Sequence, residues 1–449
     1  MTSVVVDHPL STFRRVLRFR RDPLALFADI AAREPGRRVV PVALGVRQAV
    51  VITSPKPAQH VLLSSSFAKD PRPYGPLGTF RGFMVLGDLI GPALPMLDDD
   101  AGRDRRRLVA PGLATAHVPR CPFPHATTTT STTTSTTTST TTEIDLLPAV
   151  QARVAAVLAD EGNVVDVRRV VARIVCEQLC LALFGDRYEQ WSKPVSAALD
   201  VASGALHALS SSFLPAAHKT DVVHAPRLRG LRRVLVDFAT QVLIDIKAKK
   251  ASSSSSSSSS STAAPAFAAI DLDGLTHAQQ VDEIVTQLVA GTESTSLTVS
   301  WLLLLLMQHP DALAAVRRDL TSWPQPLSSL PLSSEHALVR SLRETLRLYP
   351  SFWQFLRVAR EDTTIVDDTD AADVRTVDVV KGTIAFIVPY LAHRDPRVFV
   401  DPECFDPWRH QAAKALSPEL LSFGYGPRSC IGARLAVQIA TTTAAAFLH

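Results

Sequence analysis

Cysteine is scarce in this chain and shows no pairing pattern. The five thiols, Cys121, Cys176, Cys180, Cys404 and Cys430, form no CxxC spacing and are odd in number. With no cleavable apolar leader ahead of them, disulfides are not expected, and a reducing, cytoplasmic setting is. Long apolar runs are missing too. The longest near a helix, WLLLLLM at 301–307, falls far short of the roughly 20 residues needed to cross a bilayer, so no transmembrane anchor is expected. Neither sign of charge dominates: the formal net charge is +4, and without a long basic run nucleic acid is a poor partner. No segment recurs with a period of roughly 20 to 50 residues, which argues against a solenoid.

What is present is apolar bulk, 46% hydrophobic residues over 449 positions, enough for a substantial core. The Arg-rich start STFRRVLRFRRDPLALF has the composition of a transit peptide, but RRDPLALF fits a first helix opened by its proline. Apolar periodicity predicts long helices over 143–184, 226–248, 276–308, 311–320 and 334–348. Strand-like runs, RRVVPVALG and QAVVITS near the start and TVDVVKGTIAFIVP later, predict a small sheet. The fold class is therefore mainly α with small β-sheets. A threonine-rich tract at 127–142 and a serine run at 252–261 bury no apolar area to offset their ordering entropy. They read as disordered, dispensable surface insertions in a single domain covering 1–449.

The stretch FGYGPRSCIG, 423–432, sets one thiol among three glycines and an arginine. IGARLAVQIATTTAAAFL follows Cys430 with a strong helix pattern, which places the sulfur at a helix N-terminus where free N–H groups favour a thiolate and hence metal binding. Gly424, Gly426 and Gly432 permit positive φ or close backbone approach, and Arg428 puts a permanent cation near the sulfur. A buried inert cysteine on a glycine-rich turn is the other reading of any one such thiol.

Phe423, Gly426, Arg428, Cys430 and Gly432 fill the pattern FxxGxRxCxG, and here the chain resembles the heme-thiolate monooxygenases of the cytochrome P-450 superfamily. The resemblance implies that Cys430 is the axial thiolate, and sole protein ligand, of the iron in heme b, where it favours O–O cleavage. Further matches carry it. Glu344 and Arg347 in SLRETLRLYP lie on one helical face and resemble the family's ExxR motif. With Arg409 of FDPWRH they imply a buried network supporting the cysteine loop. AGTEST, 290–295, interrupts an apolar helix with Gly291 and hydroxyls that compete for backbone carbonyls. It resembles the oxygen-activating motif, implying that Glu293 and Ser294 deliver protons, with Thr295 able to share the role and Gly291 beside the cofactor. Ser294 stands where the family usually has threonine. Arg106, Arg357 and Arg428 match heme-propionate ligands, with Gly102 where an aromatic or histidine is usual. Arg103, Arg105 and Arg107 are expected to face solvent.

The resemblance runs from about residue 20 to the end and is strongest after 280. The sequence stops at His449, inside the helix after Cys430, so a fold without the family's C-terminal sheet is expected. The implied function is insertion of one oxygen atom from O2 into a lipophilic small molecule, by a monomer taking electrons from a separate ferredoxin or flavodoxin type donor and its reductase. Arg103, Arg105, Lys414 and Arg434 are candidates for the donor's docking patch. Candidate pocket walls are 80–91, Leu288 to Gly291 and SFWQF at 351–355, with Phe352 and Trp353 narrowing the cavity. Two alternatives stay open: a peroxide-dependent or isomerising heme-thiolate enzyme, and a catalytically impaired heme or ligand-binding homologue.

Overall fold

The computed structural model describes residues 14–15, 17–19, 21–44, 47–69, 87, 89–115, 147–161, 165–184, 194–195, 197–199, 224–253, 270, 274–322, 335–368, 374–410 and 419–448. Helices dominate. They are α1 (Pro23–Arg33), α2 (Pro55–Leu63), α3 (Asp99–Thr115), α4 (Leu147–Glu161), α5 (Val167–Phe184), α6 (His224–Ser253), α7 (His277–Gln308), α8 (Pro310–Ser322), α9 (Ala337–Leu348), α10 (Pro389–Ala392) and α11 (Ala433–Leu448).

Local signals fix several helix starts. Asp22 caps α1, its side chain accepting from Ala25 N at 2.9 Å, and Pro23 occupies the first turn as expected. Thr276 and Gln279 form a reciprocal capping box at the start of α7. The stretch expected as one helix over 143–184 is two. Asp166 opens the second by accepting from Arg169 N at 3.2 Å. Helix α6 runs into the serine run as far as Ser253; the rest of that run and the whole threonine-rich tract lie outside the described residues.

The larger sheet has the order β1-β2-β7-β4-β3, from β1 (Val39–Leu44), β2 (Arg47–Ile52), β3 (Phe67–Ala68), β4 (Phe355–Ala359) and β7 (Ile384–Ile387). Only β2 and β7 pair in parallel. Strands β5 (Thr363–Asp368) and β6 (Val374–Val379) form a separate hairpin. Alternation sorts the sheet's side chains: Val50, Ile52, Ala385 and Ile387 pack on α2 and the hairpin, whereas Ala49, Val51, Ile384 and Phe386 pack on α1. Strands β4 and β5 were not expected from the sequence.

Helix α7 is the axis of the helical core. It packs against α5, α6, α9 and α11, and α11 in turn packs against α4 and α5. By length and composition α7 could cross a membrane, which the short run at 301–307 did not suggest, yet more than half of its apolar window is buried inside the protein. Its burial is interrupted in the middle. Gln287, Ala290, Gly291, Glu293, Ser294 and Leu297 keep accessible surface, while Leu288, Val289, Thr292, Thr295 and Ser296 are buried.

Candidate active site

The cysteine loop is shaped by its glycines. Gly424 and Gly426 take φ of 71° and 70°, a region that favours glycine. A side chain at Gly426 would also sit 2.7 Å from Leu63 Cδ2. Cys430 N donates to Phe423 O at 2.7 Å and closes the loop, while Phe423 packs on the helical core. Helix α11 begins just beyond, at Ala433. Cys430 keeps accessible surface although protein surrounds it on most sides. Burial pushes its thiol up, opposed by the Gly432 N–H and by Arg106. The helix N-terminus alone therefore does not produce a thiolate here; a cation at the sulfur would.

Basic side chains gather beside this loop. Arg106 Nη1 donates to Ser429 O at 2.7 Å, Arg428 pairs with Asp98 and reaches Phe67 O at 3.3 Å, and Arg357 Nη1 donates to Leu356 O at 2.7 Å. Lys69 joins them, its Nζ 3.3 Å from both Pro95 O and Leu97 O. Burial, then the charges of Arg357 and Arg428, pushes the Lys69 ammonium down to about 8. Burial followed by Arg428 pushes Arg357 down to about 10, and its buried Nε has no hydrogen-bond partner. Among the described residues, Asp98 is the carboxylate beside Lys69, Arg357 and Arg428. Such a cluster of positive charge, with Arg357 buried and the others half-buried, favours an anionic ligand. The residues fit the heme implied by the resemblance: a thiol for the iron, and an orphaned guanidinium among cations for its carboxylates.

Sequence reasoning missed Lys69 and Asp98. A side chain at Gly102 would lie 3.1 Å from Leu97 O, so the first turn of α3 is held close to that carbonyl. Lys69 approaches the same carbonyl from the end of β3, near where the usual aromatic or histidine is missing.

Behind the loop lies a satisfied ionic network. Glu344 and Arg347 on α9 are both fully buried and pair through two bonds, Nε to Oε2 at 2.9 Å and Nη2 to Oε1 at 2.7 Å. Arg347 also donates to the carbonyls of His393, Pro402 and Cys404 at 2.8, 2.6 and 2.9 Å. Asp406 N and Arg409 Nε reach Glu344 Oε1 at 3.0 and 3.4 Å. His393 was not singled out from the sequence. Its Nε2 accepts from Leu421 N at 2.8 Å, so Nδ1 carries the proton and donates to Arg347 O at 3.0 Å. The neutral ring thus ties the end of α9 to the start of the cysteine loop.

On α7 the hydroxyls take backbone carbonyls. Ser294 Oγ donates to Ala290 O at 2.7 Å, and Ser294 O accepts from Thr298 Oγ1 at 2.9 Å and from Ser351 Oγ at 2.8 Å. Ser351 and Thr298 are themselves 2.8 Å apart, joining the α7 midpoint to the segment before β4. Glu293 and Ser294 lie on the accessible face; Thr295 lies on the buried side. A side chain at Gly291 would sit 2.7 Å from Leu179 Cδ2, so that glycine also serves close packing of α7 on α5.

Of the docking residues, Arg103 and Arg434 are exposed and Lys414 lies outside the described residues. Arg105 is a correction. It does not face solvent but is buried, with Nη1 2.6 Å from Glu283 Oε1, because it sits on the α3 face that meets α7. Arg103 and Arg107 are exposed as expected, paired with Asp100 and Asp104. Of the pocket walls, 80–86 and 88 lie outside the described residues; Phe352 is exposed and Trp353 packs near Phe27, the two rings 6.2 Å apart.

Residues 129–449 match the family model described as cytochrome P-450. Human cytochrome P-450 4V2 is 34% identical over 171 residues, 36% of this chain and 31% of that protein. Mouse thromboxane-A synthase is 33% identical over 183 residues, 38% of this chain and 32% of that protein. The cyclooctat-9-en-7-ol 5-monooxygenase of Streptomyces melanosporofaciens is 26% identical over 445 residues, 96% of this chain and 84% of that protein. The chain thus spans about a third of the length of the first two relatives and most of the third.

Proposed function

This chain belongs to the cytochrome P-450 family, whose cofactor is heme b, and on that premise we propose that it is a heme-thiolate monooxygenase acting on a lipophilic small molecule. The observation that carries the reading is the pairing of one accessible thiol, Cys430, with a cluster of cations, the buried Arg357 and the half-buried Lys69, Arg106 and Arg428. Cys430 would ligate the iron, the cations would hold the propionates, and the bound group would supply activation of O2.

Each further role belongs to a residue of the chain. Gly432 N–H points at the sulfur and moderates its charge. Arg106 bonds the carbonyl next to Cys430, so a guanidinium that would hold a propionate also steadies the ligand loop. On α7, Ser294 is the hydroxyl that holds a proton at the accessible face, fixed by its bond to Ala290 O, and Glu293 beside it exchanges protons with solvent. Thr295, on the buried side, supports this only by rearrangement. Gly291 and Phe423 contribute shape rather than protons.

The Streptomyces relative is named for oxygenating a hydrocarbon-rich alcohol, which supports substrates of that kind here. Electrons would come from a separate ferredoxin or flavodoxin type protein, docking near exposed Arg103 and Arg434. The test is the absorbance of the reduced, carbon monoxide-bound protein. A thiolate-type spectrum is expected for the wild type and for Cys404→Ala, and its loss for Cys430→Ala. A spectrum that survives the change at Cys430 overturns the reading.

A further inference from the structure

Two hydroxyls meet the carbonyl of Ser294 from different parts of the chain. Thr298 Oγ1, one turn along α7, lies 2.9 Å from Ser294 O, and Ser351 Oγ, from the segment between α9 and β4, lies 2.8 Å from it. The two hydroxyls are 2.8 Å from each other. Three contacts thus share two hydroxyl hydrogens, so at most two of them are hydrogen bonds at once. In every such arrangement Ser351 stays joined to the carbonyl, either directly or through Thr298.

Ser351 is itself held from behind. Trp301, about one turn beyond Thr298 on α7, stacks on Tyr349 with ring centroids 3.9 Å apart and planes 4° from parallel. Arg394 lies over the Tyr349 ring at 5.6 Å and donates from Nη1 to Leu348 O at 2.6 Å, which fixes the end of α9. Pro350, its φ restricted by the ring, is all that separates Tyr349 from Ser351. The hydroxyl therefore reaches α7 from a support anchored on α9, the helix whose Glu344 and Arg347 pair behind the cysteine loop.

The side chain of Ser294 gives that support a purpose. With its hydrogen donated to Ala290 O at 2.7 Å, Ser294 Oγ presents lone pairs to the accessible face, and it frees the hydrogen only by turning about χ1. Serine has no branch at Cβ to restrict that turn, so its backbone does most to select the rotamer. We propose that Ser351 is a positioning residue for Ser294: it fixes the Ser294 carbonyl, and with it the backbone that selects the rotamer of the proton-holding hydroxyl. This rests on the monooxygenase reading, in which Ser294 holds the proton. Thr298 is the partner through which the tie persists when the hydroxyls exchange directions. The tie supplies, for a serine, the restriction that a branched side chain would carry within itself.

The test reads the infrared stretch of carbon monoxide on the heme-loaded, reduced protein, together with amide hydrogen exchange. In the wild type one narrow band is expected, because the Ser294 hydroxyl keeps one rotamer. Ser351→Ala should add a second band, from hydroxyls turned away from Ala290 O. It should also quicken exchange in 290–298 about fivefold, the scale of losing one hydrogen bond, while 337–348 stays unchanged. Adding Ser294→Ala to that variant should abolish the second band, which assigns it to this hydroxyl. Adding Ser294→Thr instead should also abolish it, since the branch restricts χ1, yet leave exchange fast. Ser351→Thr, which keeps the hydroxyl, should restore both wild-type readouts. Two bands already in the wild type, one band in Ser351→Ala, a second band that outlasts the Ser294 hydroxyl, or unchanged exchange in 290–298 would each overturn the proposal. If Ser351→Ala does not hold heme, Ser351→Cys, which keeps the volume and donates weakly, decides by the same readouts. The two readings fail separately: a wild type without the thiolate-type spectrum sinks the monooxygenase assignment, whereas one band in Ser351→Ala with that spectrum intact sinks only the role of Ser351.

Discussion

Glu344 and Glu283 are both fully buried acids facing arginine, yet they are satisfied very differently. Both oxygens of Glu344 are bonded to Arg347, and Oε1 also receives Asp406 N and Arg409. Glu283 gathers its partners on Oε1, leaving Oε2 buried with none. The first arrangement is a completed network that holds the backbone behind the cysteine loop in one place. The second is a contact under electrostatic cost, near the start of the helix that carries Glu293 and Ser294. Rigidity lies on the side where a ligand to iron must not move.

The strongest way to break this contrast is Glu344→Ala. It removes the carboxylate shared by Arg347 and Arg409 and strands a guanidinium that has no access to water. The expected cost is about 3–5 kcal/mol of folding stability, with loss of retained heme. Denaturant midpoint and heme-to-protein ratio check it together. A loss below about 1 kcal/mol would show that α9 holds its position by packing instead.

Next in size is Ser294→Ala on the accessible face of α7. Proton delivery by a placed group is typically worth ~10²- to 10⁴-fold, so product formation should fall by at least about 10²-fold while the carbon monoxide spectrum is kept. Thr295→Ala should change little, since Thr295 faces the packed side. Product formed per NADPH consumed, with a donor and an identified substrate, separates the two. Equal losses at Ser294 and Thr295 would show that the helix presents either face.

The contrast also explains what was legible in the sequence. Cys430, Glu344 and Arg347 lie in short local patterns, and one helical face or one loop suffices to bring such residues together. The longer helices α4 to α9 followed from apolar periodicity, with 143–184 holding two rather than one, whereas α2 and α3 were not expected. Lys69, Asp98 and Glu283 belong to sites assembled from residues far apart in the chain. Arg105 was misplaced for the same reason: four arginines in GRDRRRL look alike until α7 supplies Glu283 to one of them. Short strands such as β4 escaped because FLRVA has only its pairing with β7 to define it.

A smaller effect is expected from acid at His393. Burial, helped by the charges of Arg347 and Arg394, pushes this imidazole down from 6.5 to about 3. The unfolded chain takes up a proton near 6.5 while the folded protein resists it. Its contribution is therefore complete above the ordinary value and is lost as pH falls from there toward the folded one. By about pH 5 the loss should reach about 2 kcal/mol. The check is the slope of stability against pH in the wild type minus that in His393→Gln. Identical slopes would mean the ring is not held neutral between Leu421 N and Arg347 O.

The smallest expected effect tests whether the completed network is complete on both arms. Arg347 makes five bonds from a fully buried side chain, whereas Arg409 sits on a 3-10 turn, Pro407–His410, and its 3.4 Å approach to Glu344 is long. Arg409 also donates to the carbonyls of Val400 and Asp401, so it holds the returning loop as much as it neutralises the acid. With Arg347 still in place, Glu344 is never left uncompensated when Arg409 is removed. Arg409→Gln should therefore cost only about 1 kcal/mol, the net worth of a hydrogen bond, and heme should be retained. Arg347→Gln, which leaves the buried carboxylate facing one distant cation, should cost about as much as Glu344→Ala. Denaturant midpoints of the two arginine variants decide it: equal losses would make the second arm an equal partner, and the network would then be a triad rather than a pair with a brace.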